Sequence, residues 1–193
     1  GGLFVYSRFD PDWLTKRVEG GEKLSIIVRD KWQSLIVEEL KIPENFHLLV
    51  GWTKESASTT NMVKQMNEFK KLNPDKYNKL MGDVAACAKN VIEAWKSNDF
   101  DMYLIELQNN REALSRLTKE TGLPIETNDL RILAEKAGEC GAAGKLSGAG
   151  GGDCGIAICF DNETAKNVVE KWKEADLYPL DVTIDKDGVR REK

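Results

Sequence analysis

Hydrophobic positions change period along this chain, and the changes outline its elements. Residues 3–9 partly alternate apolar and polar side chains and stop at Asp10, which predicts a strand. Asp10 suits a helix N-cap and Pro11 the first helical position; Trp13, Leu14 and Val18 then share a face until Gly20-Gly21 ends the helix. Residues 23–29 hold Ile26, Ile27 and Val28 in a run too short for periodicity to choose between helix and strand. A strand is predicted over 34–40, around Leu35, Ile36 and Val37, and the turn Pro43-Glu44-Asn45 leads into a stronger one over 46–52.

The centre switches to helical spacing. Met62, Val63, Met66 and Phe69 mark a helix over 62–72, and Asn73-Pro74-Asp75 interrupts it. Further apolar stripes run over 80–95, 100–117 and 127–137, the last carrying Leu130, Leu133, Ala134 and Ala137 on one face. A strand over 155–160, a helix opened by Asp161-Asn162-Glu163 and a strand over 178–184 complete the pattern, and the charged tail beyond 185 is expected to be mobile. Strands and helices mix without strict alternation. The expected class is α+β, an antiparallel sheet with helices packed on one face.

One stretch fits none of these periods. Between the last central helix and the strand at 155–160, six of the twelve residues from Gly144 to Gly155 are glycine. Glycine loses the most backbone entropy on ordering, so such density inside a domain points to a shaped loop. Left-handed glycines let successive N–H groups turn inward as an anion-binding concavity. Ser147 adds a hydroxyl and Lys145 a positive charge, and phosphate is the fitting guest. The order G-x-x-x-x-G-K-[ST] is absent, and so is G-x-G-x-x-G between a strand and a helix. A second candidate lies at 56–60, where Ser56, Ser58, Thr59 and Thr60 crowd a helix start beside Lys54. Capping needs one hydroxyl; the surplus, at the positive end of a helix dipole, suits a second phosphate or carboxylate.

Composition narrows the partners. The 193 residues carry 28 basic and 32 acidic side chains, a net charge of -4, which argues against a general nucleic-acid binder. No run approaches the ~18 apolar residues of a membrane span. With four cysteines, no C-x-x-C pair and one histidine, a Cys/His zinc site is not expected. Free thiols suit a reducing cytoplasm. Cys154 reads as a space-filler under the glycine loop rather than a nucleophile, and His47, alone on a strand, as structural.

The run Ser147-Gly148-Ala149-Gly150-Gly151-Gly152-Asp153-Cys154 resembles the third motif of the GHMP small-molecule kinases. Its Gly-Gly-Gly-Asp-Cys ending, and the Gly51-Trp52-Thr53 strand end before a hydroxyl-rich helix, resemble the bacterial phosphomevalonate kinase branch of that family. Residues 2–10 resemble the strand that leaves the family's second motif. The resemblance implies a ferredoxin-like C-terminal domain over 21–193, with residues 1–20 as the trailing strand and helix of an N-terminal domain. It implies a transferase of the mevalonate (isoprenoid) pathway, moving the ATP γ-phosphoryl group to (R)-5-phosphomevalonate, cytoplasmic, with ATP and Mg²⁺ as cofactors. Ser58, Thr59 and Thr60 would face the substrate; Ser147, Gly148, Ala149 and Gly150 would support the ATP-phosphate loop. The catalytic acid and the ATP loop are expected upstream of Gly1, in an N-terminal half that would be the partner, with no membrane or nucleic acid involved and no metal ligand in this chain. The alternatives are another GHMP kinase, such as a mevalonate kinase, and a non-catalytic anion-binding domain.

Overall fold

The structure is a computed structural model that describes residues 1–56 and 58–188; the charged tail at 189–193 lies outside the described residues. Two compact units emerge, one formed by Gly1–Ile42 with the segment from Ile184 onward as far as it is described, and the other by Pro43–Thr183.

In the first unit, strand β1 (Leu3–Ser7) pairs antiparallel with β2 (Ile36–Leu40), Leu3 opposite Leu40 and Ser7 opposite Ile36. That pairing spans the Gly20-Gly21 position, so residues 1–20 do not form a compact unit of their own. Helix α1 (Pro11–Glu19) starts as its sequence predicts: the Asp10 carboxylate accepts from the Asp12 amide at 2.9 Å, and proline sits in the first turn. The ambiguous run resolves into a short helix, α2 (Leu24–Ile27), whose Ile27 is fully buried. Trp32 packs edge-on to Phe9 at 4.7 Å between centroids and donates its indole N–H to the Ile27 carbonyl.

The second unit runs β3 (His47–Trp52), α3 (Thr59–Leu72), α4 (Pro74–Lys96), α5 (Phe100–Thr121), α6 (Asn128–Glu139), β4 (Ala143–Leu146), β5 (Cys154–Cys159), α7 (Asn162–Glu174) and β6 (Tyr178–Leu180). Its sheet has the order β4-β5-β3-β6, with every neighbouring pair antiparallel. Reduced to its strands and crossovers this is β-α-β-β-α-β, with the first crossover expanded into four helices. That is the ferredoxin-like arrangement the resemblance implies.

Three glycines form the floor on which the helices rest. A Cβ on Gly51 would stand 2.8 Å from Leu133 Cδ1 and 3.0 Å from Trp172; one on Gly155 would stand 2.6 Å from Leu133 Cδ2; one on Gly144 would stand 2.7 Å from Ala134 Cα. Leu133, Ala137, Val168 and Trp172 are fully buried against this floor, and the Trp172 indole donates to the Leu133 carbonyl at 2.9 Å. A second cluster, Leu80, Leu117, Ile125, Leu130 and Leu146, gathers α4, α5 and α6 around the end of β4, and Met62, Met66 and Phe69 of α3 pack on it. At the other end of the sheet Trp95, Phe100, Tyr103, Phe46 and Phe160 form an aromatic cluster, with Phe100 stacked on Phe160 at 4.5 Å. Burial within it pushes the Tyr103 hydroxyl up to about 12.

Two elements differ from the sequence reading. Strand β4 precedes the glycine stretch, which therefore connects two hairpin strands rather than a helix and a strand. The last strand ends at Leu180 instead of reaching 184; its pairing with β3 covers only Tyr178–Leu180, opposite Trp52–Val50.

Gly144→Ala is expected to destabilise the protein by ~1–3 kcal/mol, because the obstructing atoms are helix backbone that cannot rotate away; the midpoint of urea unfolding measures it. Tyr103 keeps its proton in the folded state after the unfolded chain has lost it, so its contribution to stability falls as pH rises from its ordinary value toward about 12. Tyr103→Phe should remove that component, flattening the alkaline loss of stability by roughly 2 kcal/mol across the window. Alkaline denaturation curves of the two proteins that superimpose after baseline correction would contradict this.

Candidate functional site

The glycine loop leaves the sheet at the last rung of the β4–β5 ladder, where the Ser147 amide donates to the Cys154 carbonyl at 3.0 Å. Gly148, Gly150, Gly151, Gly152 and Asp153 all take positive φ, at 67°, 78°, 85°, 115° and 61°. Side-chain-bearing residues avoid this region, and a run of four glycines among five such positions is what makes the path accessible. Two clamps fix it. On one side, a Cβ on Gly150 would lie 2.1 Å from the Ile125 carbonyl oxygen, and the Gly151 amide donates to that same oxygen at 2.9 Å. On the other, the Thr53 amide and hydroxyl both donate to the Asp153 carbonyl, at 2.8 and 2.9 Å, while the Asp153 amide donates to the Glu55 carbonyl at 3.2 Å.

The tip stays open between these clamps. Ser147, Gly148 and Ala149 are exposed, and the amides of Gly148 and Ala149 make no internal hydrogen bond among the described residues. Exposed N–H groups on a fixed left-handed path are the elements of an anion nest. Lys145 lies two residues before Ser147, which puts both side chains on one face of the strand. Its ammonium donates to the Leu146 carbonyl at 2.9 Å, has no carboxylate partner among the described residues, and is pushed below the ordinary lysine range by burial. Cys154 is pushed the other way, upward, by burial and by the Asp153 carboxylate beside it, which suits filling space rather than attack.

The second candidate begins where the Thr53–Glu55 clamp ends. Ser58 is the N-cap of α3 but makes no side-chain capping bond; Ser58, Thr59 and Thr60 are exposed, and no acidic residue occupies the first turn. The positive end of the helix dipole therefore faces solvent with three free hydroxyls. Lys54, read from sequence as part of this group, pairs with Asp176 instead. That partner lies 122 residues further along the chain, which nothing in the local sequence could reveal.

Glu55 and Ile125 are not singled out by the sequence pattern, and Thr53 enters it only as the end of the Gly51-Trp52-Thr53 motif, with no binding role assigned. The one available signal was the unusual Thr after a strand-ending Trp; Ile125 gives none, since its role lies in its backbone. His47 stands opposite Cys159, at the far end of β3 from the loop, about 17 Å away by strand rise. A cavity of about 690 Å³ also opens at that far end, lined by Asn98, Asp99, Phe160 and Asp161 among others, and contains no residue of either candidate site.

Comparison with known proteins places this arrangement. A family model described as GHMP kinases C terminal matches residues 88–176. Phosphomevalonate kinase from Streptomyces sp. (strain CL190) is 34% identical over 161 residues, which are 82% of this chain and 43% of that protein. Among solved structures, the Lin0012 protein from Listeria innocua is 33% identical with a TM-score of 0.87, over 93% of this chain and 50% of that one. Streptococcus pneumoniae phosphomevalonate kinase, solved in complex with phosphomevalonate and AMPPNP, is 28% identical with a TM-score of 0.77, over 93% of this chain and 51% of that one. The chain spans about half the length of the relatives it matches. No described helix is long and apolar enough to cross a membrane. With its β-α-β-β-α-β sheet, the chain has the fold of the GHMP kinase C-terminal domain, whose family model matches residues 88–176.

Proposed function

We propose that this chain is the C-terminal portion of a cytoplasmic phosphomevalonate kinase, which transfers the γ-phosphoryl group of ATP to the phosphate of (R)-5-phosphomevalonate, giving diphosphomevalonate and ADP. The observation that carries the reading is the loop itself: an ordered arc with open amides at Gly148 and Ala149, clamped to the strap that leads into the hydroxyl-bearing tip of α3. The likeness to a kinase solved with phosphomevalonate and an ATP analogue over 93% of this chain supports the same assignment. In this reading residues 1–20 trail the N-terminal domain and 21–193 form the C-terminal domain, although the first compact unit continues to Ile42. The ATP loop and the catalytic acid belong to the half of the relatives that this chain does not span.

The chemistry suits these parts. An oxygen of the acceptor phosphate bonds to the γ-phosphorus as the β–γ bridge breaks, and the bridging electrons leave with ADP. The acceptor is already an anion, so a strong base is not required; the barrier lies in aligning two anions and offsetting their charge. Ser147, Gly148, Ala149 and Gly150 brace the ATP-phosphate loop and face the transferred group with N–H and O–H donors, and Lys145 adds positive potential behind them. Ser58, Thr59 and Thr60 hold the phosphate of the acceptor at the helix terminus. No ligand to Mg²⁺ is assigned to this chain; in this reading the ion, which keeps most of its ligands from water and phosphate, would arrive with the nucleotide.

Ala149→Asp, in the protein joined to its N-terminal half, should lower turnover at least about a hundredfold, since a carboxylate would occupy the space meant for the phosphoryl group. A coupled assay of ADP release reads this, and near-normal rates would reject the placement of the loop. The 193-residue chain alone should give no turnover on phosphomevalonate, and a substrate panel that includes mevalonate would separate this assignment from that of a sibling kinase.

A further inference from the structure

The two segments that most set this sequence apart, the strand end Gly51-Trp52-Thr53 and the loop end Gly152-Asp153-Cys154, are bonded to each other. Thr53 is one of two buried polar residues among those described, at 5% exposure. It spends both of its donors on one acceptor, the carbonyl of Asp153. A strand end needs only the amide bond to continue its ladder; the hydroxyl bond duplicates it. The duplication falls at a strained place, since Asp153 is a non-glycine residue with φ 61° and Gly152 before it has φ 115°. Glu55, two residues on, accepts from the Asp153 amide, and a Cβ on Gly152 would stand 3.4 Å from the Glu55 Cβ. Both polar backbone atoms of Asp153 are therefore held by residues 53–55, and three residues later the chain reaches Ser58, the N-cap of α3.

We propose that Thr53 is a positioning residue: its paired bonds to Asp153 lock the glycine loop to the strap that carries the α3 tip, so that the two anion-binding surfaces keep a fixed separation. The hydroxyl touches neither phosphate. It acts through Asp153 on the loop and through residues 54–56 on the helix terminus. For phosphoryl transfer between two phosphates, that separation fixes the approach of donor to acceptor, and small errors in such alignment are costly in rate rather than in binding. The kinetic consequence rests on the kinase reading of the site; the mechanical coupling does not.

The test has two arms. In the 193-residue chain, hydrogen exchange should be at least about fivefold faster in Thr53→Val than in wild type, both at the bonded loop amides of Gly151 and Asp153 and at the Met62 amide in the first turn of α3, with the amides of β5 unchanged. Thr53→Ser, which keeps the hydroxyl, should exchange like wild type. Acceleration of only one of the two segments, or of neither, overturns the coupling. In the protein joined to its N-terminal half, Thr53→Val should lower kcat about tenfold, with KM for ATP and for phosphomevalonate within about threefold, and Thr53→Ser should restore most of the rate. An unchanged kcat in Thr53→Val, or a loss not rescued by serine, overturns the positioning role. If the wild-type protein does not turn over phosphomevalonate, the kinase reading falls and the exchange arm alone decides the coupling. Val matches Thr in shape, and should it fold poorly, Thr53→Ala takes its place in both arms.

Discussion

The contact on which the rest of the second unit depends is between a sheet without side chains and a helix with bulky ones. Gly51 and Gly155 stand opposite each other on β3 and β5, Gly144 lies one diagonal step away on β4 opposite Ala157, and Leu133, Ala134 and Trp172 occupy the space their side chains would take. Interiors close-pack, so a helix that approaches this near fixes the strands beneath it in register and height. Strands β4 and β5 are thereby set, and so are the two ends from which the glycine loop hangs. The Trp172 indole bond to the Leu133 carbonyl ties α7 to α6 across the same floor.

From that base the loop's form follows with little freedom. Its start is fixed by Leu146 in the second core cluster, its middle by Ile125, its end by Thr53 and Glu55. Between the clamps the segment from Ser147 to Ala149 faces solvent, and the amides of Gly148 and Ala149 have no acceptor among the described residues. If the loop serves phosphoryl transfer as proposed, its donors must be placed before charge develops, and clamps on both flanks meet that requirement without help from a ligand. The α3 tip is built differently. No residue of α3 is buried, and its three partly buried side chains, Met62, Met66 and Phe69, are its hold on the core. One candidate anion surface thus belongs to a part of the fold clamped on both flanks and the other to a lightly held helix, which is why the strap between them matters.

How much of this the sequence discloses depends on whether a feature is local. Helix starts are legible because their signal is a single side chain: the carboxylates of Asp10, Asp99 and Asp161 and the hydroxyl of Thr127 all cap helices by accepting an amide bond. The glycine loop is legible because its backbone demand can be met by hardly any other residue. Strand β4 is not: Ala-Gly-Lys-Leu has neither alternation nor branched side chains, and it is a strand because β5 pairs with it and α6 needs a floor without side chains. The same holds for the pairing of Lys54 with Asp176 and for the clamps at Thr53 and Ile125, whose partners lie far off in sequence and act partly through backbone atoms. The resemblance in the glycine stretch carried the family before any of these contacts could be known, but it could not say what holds the loop in place.

Lys145 has a consequence of another kind. Its ammonium is partly buried and faces no carboxylate among the described residues, so mobile salt ions gather round it less freely than round a surface lysine. Screening over the roughly 8 Å Debye length of physiological saline weakens exposed charge pairs far more than a source embedded in protein. Attraction of an anion to this loop, as proposed, would therefore fall less steeply with added salt than attraction to a basic surface patch.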